Sequence, residues 1–100
     1  MPLPPIPEIP LVPAPSTDTA RAAIGFQWNT DAGKRHKLGG DPTWLQGPDV
    51  PTCPACGGQP MTFYGQLDSI GDDFCLADCG IVYVFVCFGC FSAKALLQSG

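Results

Sequence analysis

The stretch of sequence that decides the fold is CPACGG at residues 53–58, together with its shorter counterpart CFGC at residues 87–90. Both contain a C-x-x-C pair, and thiolates at positions i and i+3 of a tight turn can fill two corners of a metal tetrahedron. Glycine within or directly after each pair permits the chain reversal and lets backbone N–H groups approach the sulfurs. The two pairs predict one site with four thiolate ligands, which are Cys53, Cys56, Cys87 and Cys90.

The strand pattern around the two pairs indicates a zinc-ribbon-like fold. The first pair precedes a predicted strand over residues 61–67, and the second pair closes a predicted strand over residues 81–88. If these strands are antiparallel neighbours, the two pairs meet at one end of the sheet. We therefore expect a small β-rich domain with an antiparallel sheet, stapled by one structural Zn²⁺ ion on the four cysteines.

A site with four protein thiolates leaves no coordination position for water or substrate, which favours a structural ion over a catalytic one. An iron–sulfur cluster or another soft metal is the alternative metal assignment. Thiol–disulfide exchange at a C-P-x-C pair normally needs a helix start, and Gly57, Gly58 and Pro60 oppose a helix here. Because no other catalytic arrangement is evident, we expect a protein that is not an enzyme.

Length, charge and cysteine content limit the remaining classes. One hundred residues allow one small domain, at a size where apolar burial is marginal and a metal staple is common. Neither a secretory signal nor an apolar run of the ~20 residues needed to cross a bilayer is evident. Six cysteines without an export signal predict a reducing, cytoplasmic location. A formal charge of −4 disfavours nucleic acid as a partner.

The N-terminal region has a composition of its own. Seven of the first fifteen residues are proline, and proline lacks the backbone donor that helices and sheets need. We predict an extended, disordered tail over residues 1–16 and a single zinc-stapled β domain over residues 17–100. Apolar residues interleave with the prolines, so docking onto the domain itself or onto a partner is the alternative.

Alternation over residues 61–67 predicts a strand with one buried face. Gly65 within this strand suggests a β-bulge or a close backbone approach. Residues 68–73 contain three carboxylates and a glycine, and we expect a solvated turn there. The expected inner residues of the strand are Met61, Phe63 and Leu67, and the expected outer residues are Thr62, Tyr64 and Gln66.

Three further segments complete the strand prediction. Residues 81–88 are apolar on both faces and rich in β-branched and aromatic side chains, which predicts a central strand. Residues 24–28 alternate in the manner of a short strand. Residues 92–99 are ambiguous between a short helix and an edge strand.

The loop over residues 38–46 has two adjacent glycines and a proline. This composition predicts an ordered turn that delivers Trp44 and Leu45 inward. Ordered loops are also common binding elements. The residues of this candidate interaction loop are Gly39, Gly40, Pro42 and Trp44.

Two other groups of polar or reactive residues have plainer interpretations. Residues 34–37 read KRHK, which we expect to be a solvated loop, with phosphate contact as the alternative. His36 within it is the only histidine and is expected to be a loop residue. Cys75 and Cys79 have a looser spacing among apolar neighbours, and we expect them to be buried packing residues.

The order of these motifs resembles a known family. LGGDPTWL at residues 38–45 is followed by CPACG at 53–57, a strand ending in Gln66 and Leu67, and GIVYVFVCFGC at 80–90. This order resembles the N-terminal half of the programmed-cell-death-2 family and bacterial YwqG-type proteins, over about residues 36–98. The resemblance implies a β-rich domain with zinc on the two cysteine pairs. Eukaryotic members of that family act as chaperones that hold a ribosomal protein, and this chain is much shorter than they are.

These observations together predict a non-enzymatic zinc-binding protein that acts as a protein–protein interaction or chaperone-like module. The expected partner is another protein, and an acidic surface favours a basic one. The alternative is a zinc ribbon that contacts nucleic acid through residues 34–37. Neither a membrane nor a small-molecule substrate is expected.

Overall fold

Five antiparallel strands and one small hairpin organise the chain in a computed structural model that describes residues 5–12, 17–19, 35–69, 76–77 and 79–99. The main sheet has the strand order β1-β2-β5-β6-β7, and β3 pairs with β4 in a separate two-stranded sheet. The strands are β1 Ile9–Pro10, β2 Lys37–Leu38, β3 Thr52–Cys53, β4 Gln59–Pro60, β5 Thr62–Asp68, β6 Ile81–Val86 and β7 Ala93–Gln98. The predicted β-rich fold with antiparallel pairing is confirmed. The predicted strand over residues 24–28 lies outside the described residues.

β6 is the central strand that the sequence predicts. It pairs with β5 on one side and with β7 on the other. Ile81, Tyr83 and Phe85 project from one face of β6 and are fully buried. Trp44 packs on two of these rings, with its ring centroid 4.9 Å from that of Tyr83 and 6.1 Å from that of Phe85. Leu45 also contacts this core, so the predicted inward delivery of both residues is confirmed.

β7 resolves the ambiguity over residues 92–99 in favour of an edge strand. Its six residues pair with the whole of β6, from Ile81 opposite Gln98 to Val86 opposite Ala93. Most of its side chains are exposed, as expected for a strand at the rim of a sheet.

A β-bulge in β5 changes which residues of that strand face the core. Phe63 pairs with Phe85 and Gly65 pairs with Val84, so Tyr64 is an extra residue in the ladder. The predicted bulge is confirmed, but the predicted faces beyond it are wrong. Gln66 is 1% exposed and Leu67 is 52% exposed, the reverse of the expectation, because one inserted residue shifts the alternation by one.

The described part of the proline-rich tail is ordered against the sheet, which corrects the prediction of a disordered segment. Ile9 pairs with Leu38 and Pro10 pairs with Lys37, so residues 9–10 form the outermost strand. Proline lacks a backbone N–H and is therefore excluded from central strands, but an edge strand can contain a proline whose nitrogen faces away from the sheet. The alternative prediction is that the segment docks onto the domain itself. The structure shows this docking for residues 5–12.

Candidate metal centre

The antiparallel β5–β6 pair places the two C-x-x-C turns at the same end of the sheet. Thr62 near the start of β5 lies opposite Val86 at the end of β6. Cys87 follows Val86 directly, while Cys53 ends β3, whose hairpin with β4 leads into β5. The sequence therefore folds as predicted around the cysteines, with the first pair before a strand and the second pair after one.

The four predicted ligands are brought together. Their Sγ atoms lie within 4.8 Å of one another. The Sγ atoms of Cys53 and Cys90 are 3.5 Å apart, and those of Cys87 and Cys56 are 3.6 Å apart. Four sulfurs at the usual zinc distance of ~2.3 Å would be about 3.8 Å from one another at tetrahedral corners. The cluster thus has the size of a site that can hold one metal ion.

Each cysteine pair is shaped by a backbone turn that closes on its first cysteine. Gly58 N–H donates to the Cys53 carbonyl at 2.9 Å, and Phe91 N–H donates to the Cys87 carbonyl at 2.7 Å. A single 3-10 turn over Pro54–Cys56 is followed by Gly57 with φ of 74° and then by β4. The segment after the first pair is thus a turn and a strand, in line with the predicted helix-breaking role of its glycines and proline.

Gly89 allows the sulfurs to approach the second turn closely. A Cβ at this position would lie 3.1 Å from the Cys56 Sγ and 3.6 Å from the Cys87 Sγ. A side chain here would crowd the Cys56 Sγ of the other turn and would only touch the Cys87 Sγ. The glycine within CFGC therefore permits the two pairs to share one centre.

Ser92 is a member of this site that the sequence analysis missed. Its Oγ lies 3.0 Å from the Cys90 Sγ and 3.6 Å from the Cys53 Sγ. The hydrogen bond from this hydroxyl is the main reason that the pKa of the Cys53 thiol falls from 9.0 to about 6, and it also lowers the pKa of Cys90. The available signal was its position two residues after a metal-type cysteine, where a hydroxyl can reach back to the sulfur.

The thiols of the cluster differ in how readily they ionise. The hydrogen bond with Cys87 is the main reason that the pKa of Cys56 rises from 9.0 to about 12. Cys53 is buried and Cys90 is exposed, yet the pKa of each is lowered. Because metals bind thiolates, the lowered pKa values of Cys53 and Cys90 favour metal binding at these two sulfurs.

The opposite end of the β5–β6 pair carries a buried ion pair instead of a cysteine cluster. Arg35 Nη2 and Nε donate to the two carboxylate oxygens of Asp68 at 2.7 and 2.8 Å. Asp68 is 2% exposed, so the expectation of a solvated carboxylate at this position is wrong. Burial raises the pKa of Asp68, but the hydrogen bonds from Arg35 and from the Ser69 N–H outweigh it and hold the pKa below its usual range.

The other described residues of the basic cluster are also engaged within the chain. Lys37 Nζ forms an ion pair with Glu8 at 2.6 Å, and His36 Nδ1 accepts a hydrogen bond from the Asp68 N–H. The Ser69 hydroxyl beside Asp68 donates to the Gly80 carbonyl. The expectation of a solvated loop is corrected for residues 35–37, which are half-buried.

Two buried glutamines hold the candidate interaction loop in place. Gln98 Oε1 accepts from the N–H groups of Leu45 and Gln46, both at 2.9 Å. Gln66 Oε1 accepts from the Thr43 N–H at 2.9 Å. Both glutamines were missed because a single polar residue within a strand carries no motif, and a glutamine is usually exposed.

The candidate interaction loop itself divides into two parts. Gly39 and Gly40 lie against residues 6–8 of the N-terminal segment. Pro42 is half-buried and Trp44 belongs to the aromatic core. Binding of another molecule by this loop stays a prediction.

Cys79 lies outside the four-cysteine cluster. It is half-buried rather than fully buried, and its carbonyl accepts a hydrogen bond from Arg35 at 2.9 Å. Cys75 lies outside the described residues, so the packing role predicted for it stays a prediction.

The chain is similar over part of its length to a known protein. The chain is 41% identical over 64 residues to the uncharacterized protein YpfL of Salmonella typhimurium, and this match covers 62% of the chain. It spans only 14% of the length of that relative. No protein-family model and no solved structure matches the chain. Within the described residues, no helix combines the length and apolar character of a membrane span.

Proposed function

We propose that Cys53, Cys56, Cys87 and Cys90 bind one zinc ion as a structural site of the zinc-ribbon type. Four sulfurs within 4.8 Å of one another, on two turns that meet at one end of the sheet, support this assignment. The donor set is all thiolate, which zinc accepts readily and which hard cations such as Mg²⁺ do not. With every corner filled by protein, the ion stabilises the fold and activates no water.

Metal analysis of the native protein tests the zinc assignment directly. We expect about one zinc ion per chain, and none in a Cys56→Ser, Cys90→Ser double variant. Replacement by Co²⁺ is expected to give the strong visible bands of a tetrahedral thiolate site. Stoichiometric iron with labile sulfide would contradict the assignment and favour an iron–sulfur cluster.

We further propose that the zinc-stabilised domain recognises another protein. The observation that carries this proposal is a pair of exposed phenylalanines beside the cysteines. Phe91 is 76% exposed and Phe88 is 37% exposed, and their rings meet edge to face with centroids 6.4 Å apart. Aromatic side chains presented on a rigid turn are typical anchors of protein interfaces.

The backbone at Phe91 supports this interpretation. Its φ is 60°, in the left-handed region that glycine occupies after the first cysteine pair, where Gly57 has a φ of 74°. A phenylalanine in this conformation costs about 1 kcal/mol relative to glycine. Burial of the ring within the domain does not offset this backbone strain, because the side chain is exposed. An exposed ring held in this way fits a side chain that contacts a partner.

The partner that we propose is a basic protein with an apolar contact surface, because the chain has a formal charge of −4. Such a partner fits the chaperone-like role implied by the family resemblance and a reducing, cytoplasmic location. The nucleic-acid alternative depends on residues 34–37, and two of these, Arg35 and Lys37, already form ion pairs with Asp68 and Glu8. We therefore place protein recognition first.

Site-specific photo-cross-linking tests the protein-recognition proposal. A photoreactive phenylalanine analogue at position 91 of the zinc-loaded protein is expected to give a discrete cross-linked protein, and the same analogue at exposed Val50 is the matched control. A Phe88→Ser substitution in the chain carrying the analogue is expected to reduce the product several-fold without loss of zinc. Equal products from both positions, or none from position 91, would sink the proposal.

A further inference from the structure

The N-terminal segment of residues 5–12 is held on the sheet by a continuous set of polar contacts. Gly40 N–H donates to the Ile6 carbonyl at 2.7 Å, and Leu11 N–H donates to the His36 carbonyl at 3.0 Å. Between them, residues 9–10 pair with residues 37–38 as an antiparallel strand. The contacts therefore follow the segment from Ile6 to Leu11 without a break.

A side-chain ion pair adds a charge requirement to these backbone contacts. Lys37 Nζ lies 2.6 Å from a Glu8 carboxylate oxygen and also donates to the Asp41 carbonyl at 2.6 Å. The lysine side chain is 14% exposed, whereas that of Glu8 is 55% exposed. The Lys37 ammonium group is thus held in place by the domain, and the Glu8 carboxylate of the segment approaches it from the solvent side.

Two glycines leave the space that the segment occupies. A Cβ at Gly39 would lie 2.3 Å from the Pro7 carbonyl oxygen and 2.5 Å from that of Ile6. A Cβ at Gly40 would lie 2.7 Å from the Glu8 Cβ. All three distances are too short for a side chain, so this edge of the domain is shaped to the passing segment.

The composition of the segment suits a ligand more than a core strand. Pro7 and Pro10 restrict it to extended conformations, which lowers the entropy lost on docking. Its apolar residues Ile9, Leu11 and Val12 are exposed and Ile6 is half-buried, so it contributes little to the buried core. Peptide-binding domains use the same combination, in which backbone hydrogen bonds at a sheet edge give affinity and a few side chains give specificity.

We propose that residues 36–41 form a binding site for an extended, proline-rich segment that carries a carboxylate, with residues 5–12 as its resident ligand. A second protein that presents such a segment competes with this resident for the same contacts. The inference deepens the proposed function by naming the chemistry of one partner, and it rests on that proposal only in assigning a protein partner. The site shares no residue with the Phe88–Phe91 pair and uses no metal.

Cleavage of the tether in the folded, zinc-loaded protein tests whether the segment behaves as a ligand. A protease recognition sequence is inserted between residues 12 and 17, a fluorophore is attached at the N-terminus, and the anisotropy of the label is followed after cutting. We expect the fragment to stay bound, to dissociate reversibly on dilution, and to be displaced by an unlabelled peptide of residues 1–12. Immediate and complete release at the highest protein concentration would overturn the proposal, as would loss of the far-UV circular dichroism of the sheet on release.

Paired glycine variants separate the contact from backbone strain. Gly39 and Gly47 both have positive φ, but a Cβ at Gly47 would meet nothing within 4 Å. Gly39→Ala is expected to weaken fragment binding at least tenfold, whereas Gly47→Ala leaves it unchanged. Glu8→Gln is expected to weaken binding about threefold, because one exposed ion pair is lost. Equal binding by both glycine variants would overturn the assignment of this site. The photo-cross-linking experiment at position 91 tests the proposed function separately, because it does not depend on fragment binding.

Discussion

The two ends of the β5–β6 pair are held by different chemistry. At the cysteine end, which comprises Cys53, Cys56, Cys87, Cys90 and their turns, four sulfurs converge on one point. At the ion-pair end, which comprises Arg35, Asp68 and Ser69, a bidentate guanidinium–carboxylate contact is combined with hydrogen bonds to the backbone. In the proposed assignment the cysteine end takes up a metal ion from outside the chain, whereas the contacts of the ion-pair end are made by the chain's own residues.

This difference shows how a small domain divides the task of stabilising a sheet. A buried charge pair repays its desolvation only with good geometry and further hydrogen bonds, and Asp68 has both. A thiolate cluster without metal would instead place like charges side by side. With metal bound as proposed, the cysteine end depends on the supply of that ion, whereas the contacts of the ion-pair end need no ion from solution.

Metal removal is expected to have the largest effect. Structural zinc sites bind with apparent free energies of about 10–16 kcal/mol, which is comparable to or larger than the ~5–15 kcal/mol that stabilises a typical domain. A chelator should therefore abolish the β-sheet circular dichroism, and amide exchange should lose protection at both ends. Cys79→Ser, which changes a cysteine outside the cluster, should retain the metal. A metal-free protein with full sheet signal would show that the ion-pair end suffices alone.

Breaking the ion-pair end is expected to have the next largest effect. Asp68→Asn removes the charge that faces Arg35 at a buried position, and we expect a loss of about 3 kcal/mol in the free energy of unfolding of the zinc-loaded protein. Urea denaturation with saturating zinc measures this loss. Asp49→Asn, at an exposed carboxylate, should change stability by less than about 0.5 kcal/mol. Equal stability of the two variants would mean that the buried pair contributes nothing.

Removal of the Gln98 side-chain acceptor, called here the glutamine clamp, is expected to have a smaller and local effect. Gln98→Leu leaves the amides of Leu45 and Gln46 without their acceptor, which should cost about 1–3 kcal/mol. Hydrogen exchange at these two amides should accelerate while exchange in the β5–β6 ladder changes less. Leu97→Ala, at an exposed position of the same strand, is the control and should leave both amides unchanged. Unchanged exchange in Gln98→Leu would show that the loop does not need the clamp.

The smallest expected effect is a shift in the pH at which metal is lost. The Ser92 hydroxyl lowers the pKa of Cys53 from 9.0 to about 6, so it favours the thiolate that binds metal. Ser92→Ala raises that pKa, and protons then displace the metal at a higher pH, by about 0.5 pH units for one hydrogen bond of ~1 kcal/mol. A zinc-release titration measures the midpoint, with Ser99→Ala as control. An unchanged or lower midpoint would contradict this role of Ser92.

The sequence predicts the cysteine end well because its chemistry is local. The spacing between ligands in each pair and the glycine of each turn are adjacent along the chain, so one motif carries the geometry. The ion-pair end has no such motif, since Arg35 and Asp68 are 33 residues apart and charged residues are usually exposed. Only the fold shows that these two side chains meet.

The faces of β5 show a second limit of sequence patterns. Gly65 suggested a bulge, but the position of the extra residue is fixed by pairing with β6, which places it at Tyr64. Every side chain beyond that point changes face, so Gln66 enters the core and Leu67 leaves it. A period-two pattern cannot report this, because it assumes an uninterrupted ladder.

The strand of residues 9–10 also determines how this sheet can meet other sheets. Pro10 lies in the outermost strand at one edge and lacks the N–H that an added strand would need, whereas β7 at the other edge of the described sheet keeps its backbone donors. Among the described strands, β7 is therefore the edge that can accept an added strand. Two copies joined through β7 would present a proline edge on both flanks, so such an assembly ends at a pair and does not extend into a fibre.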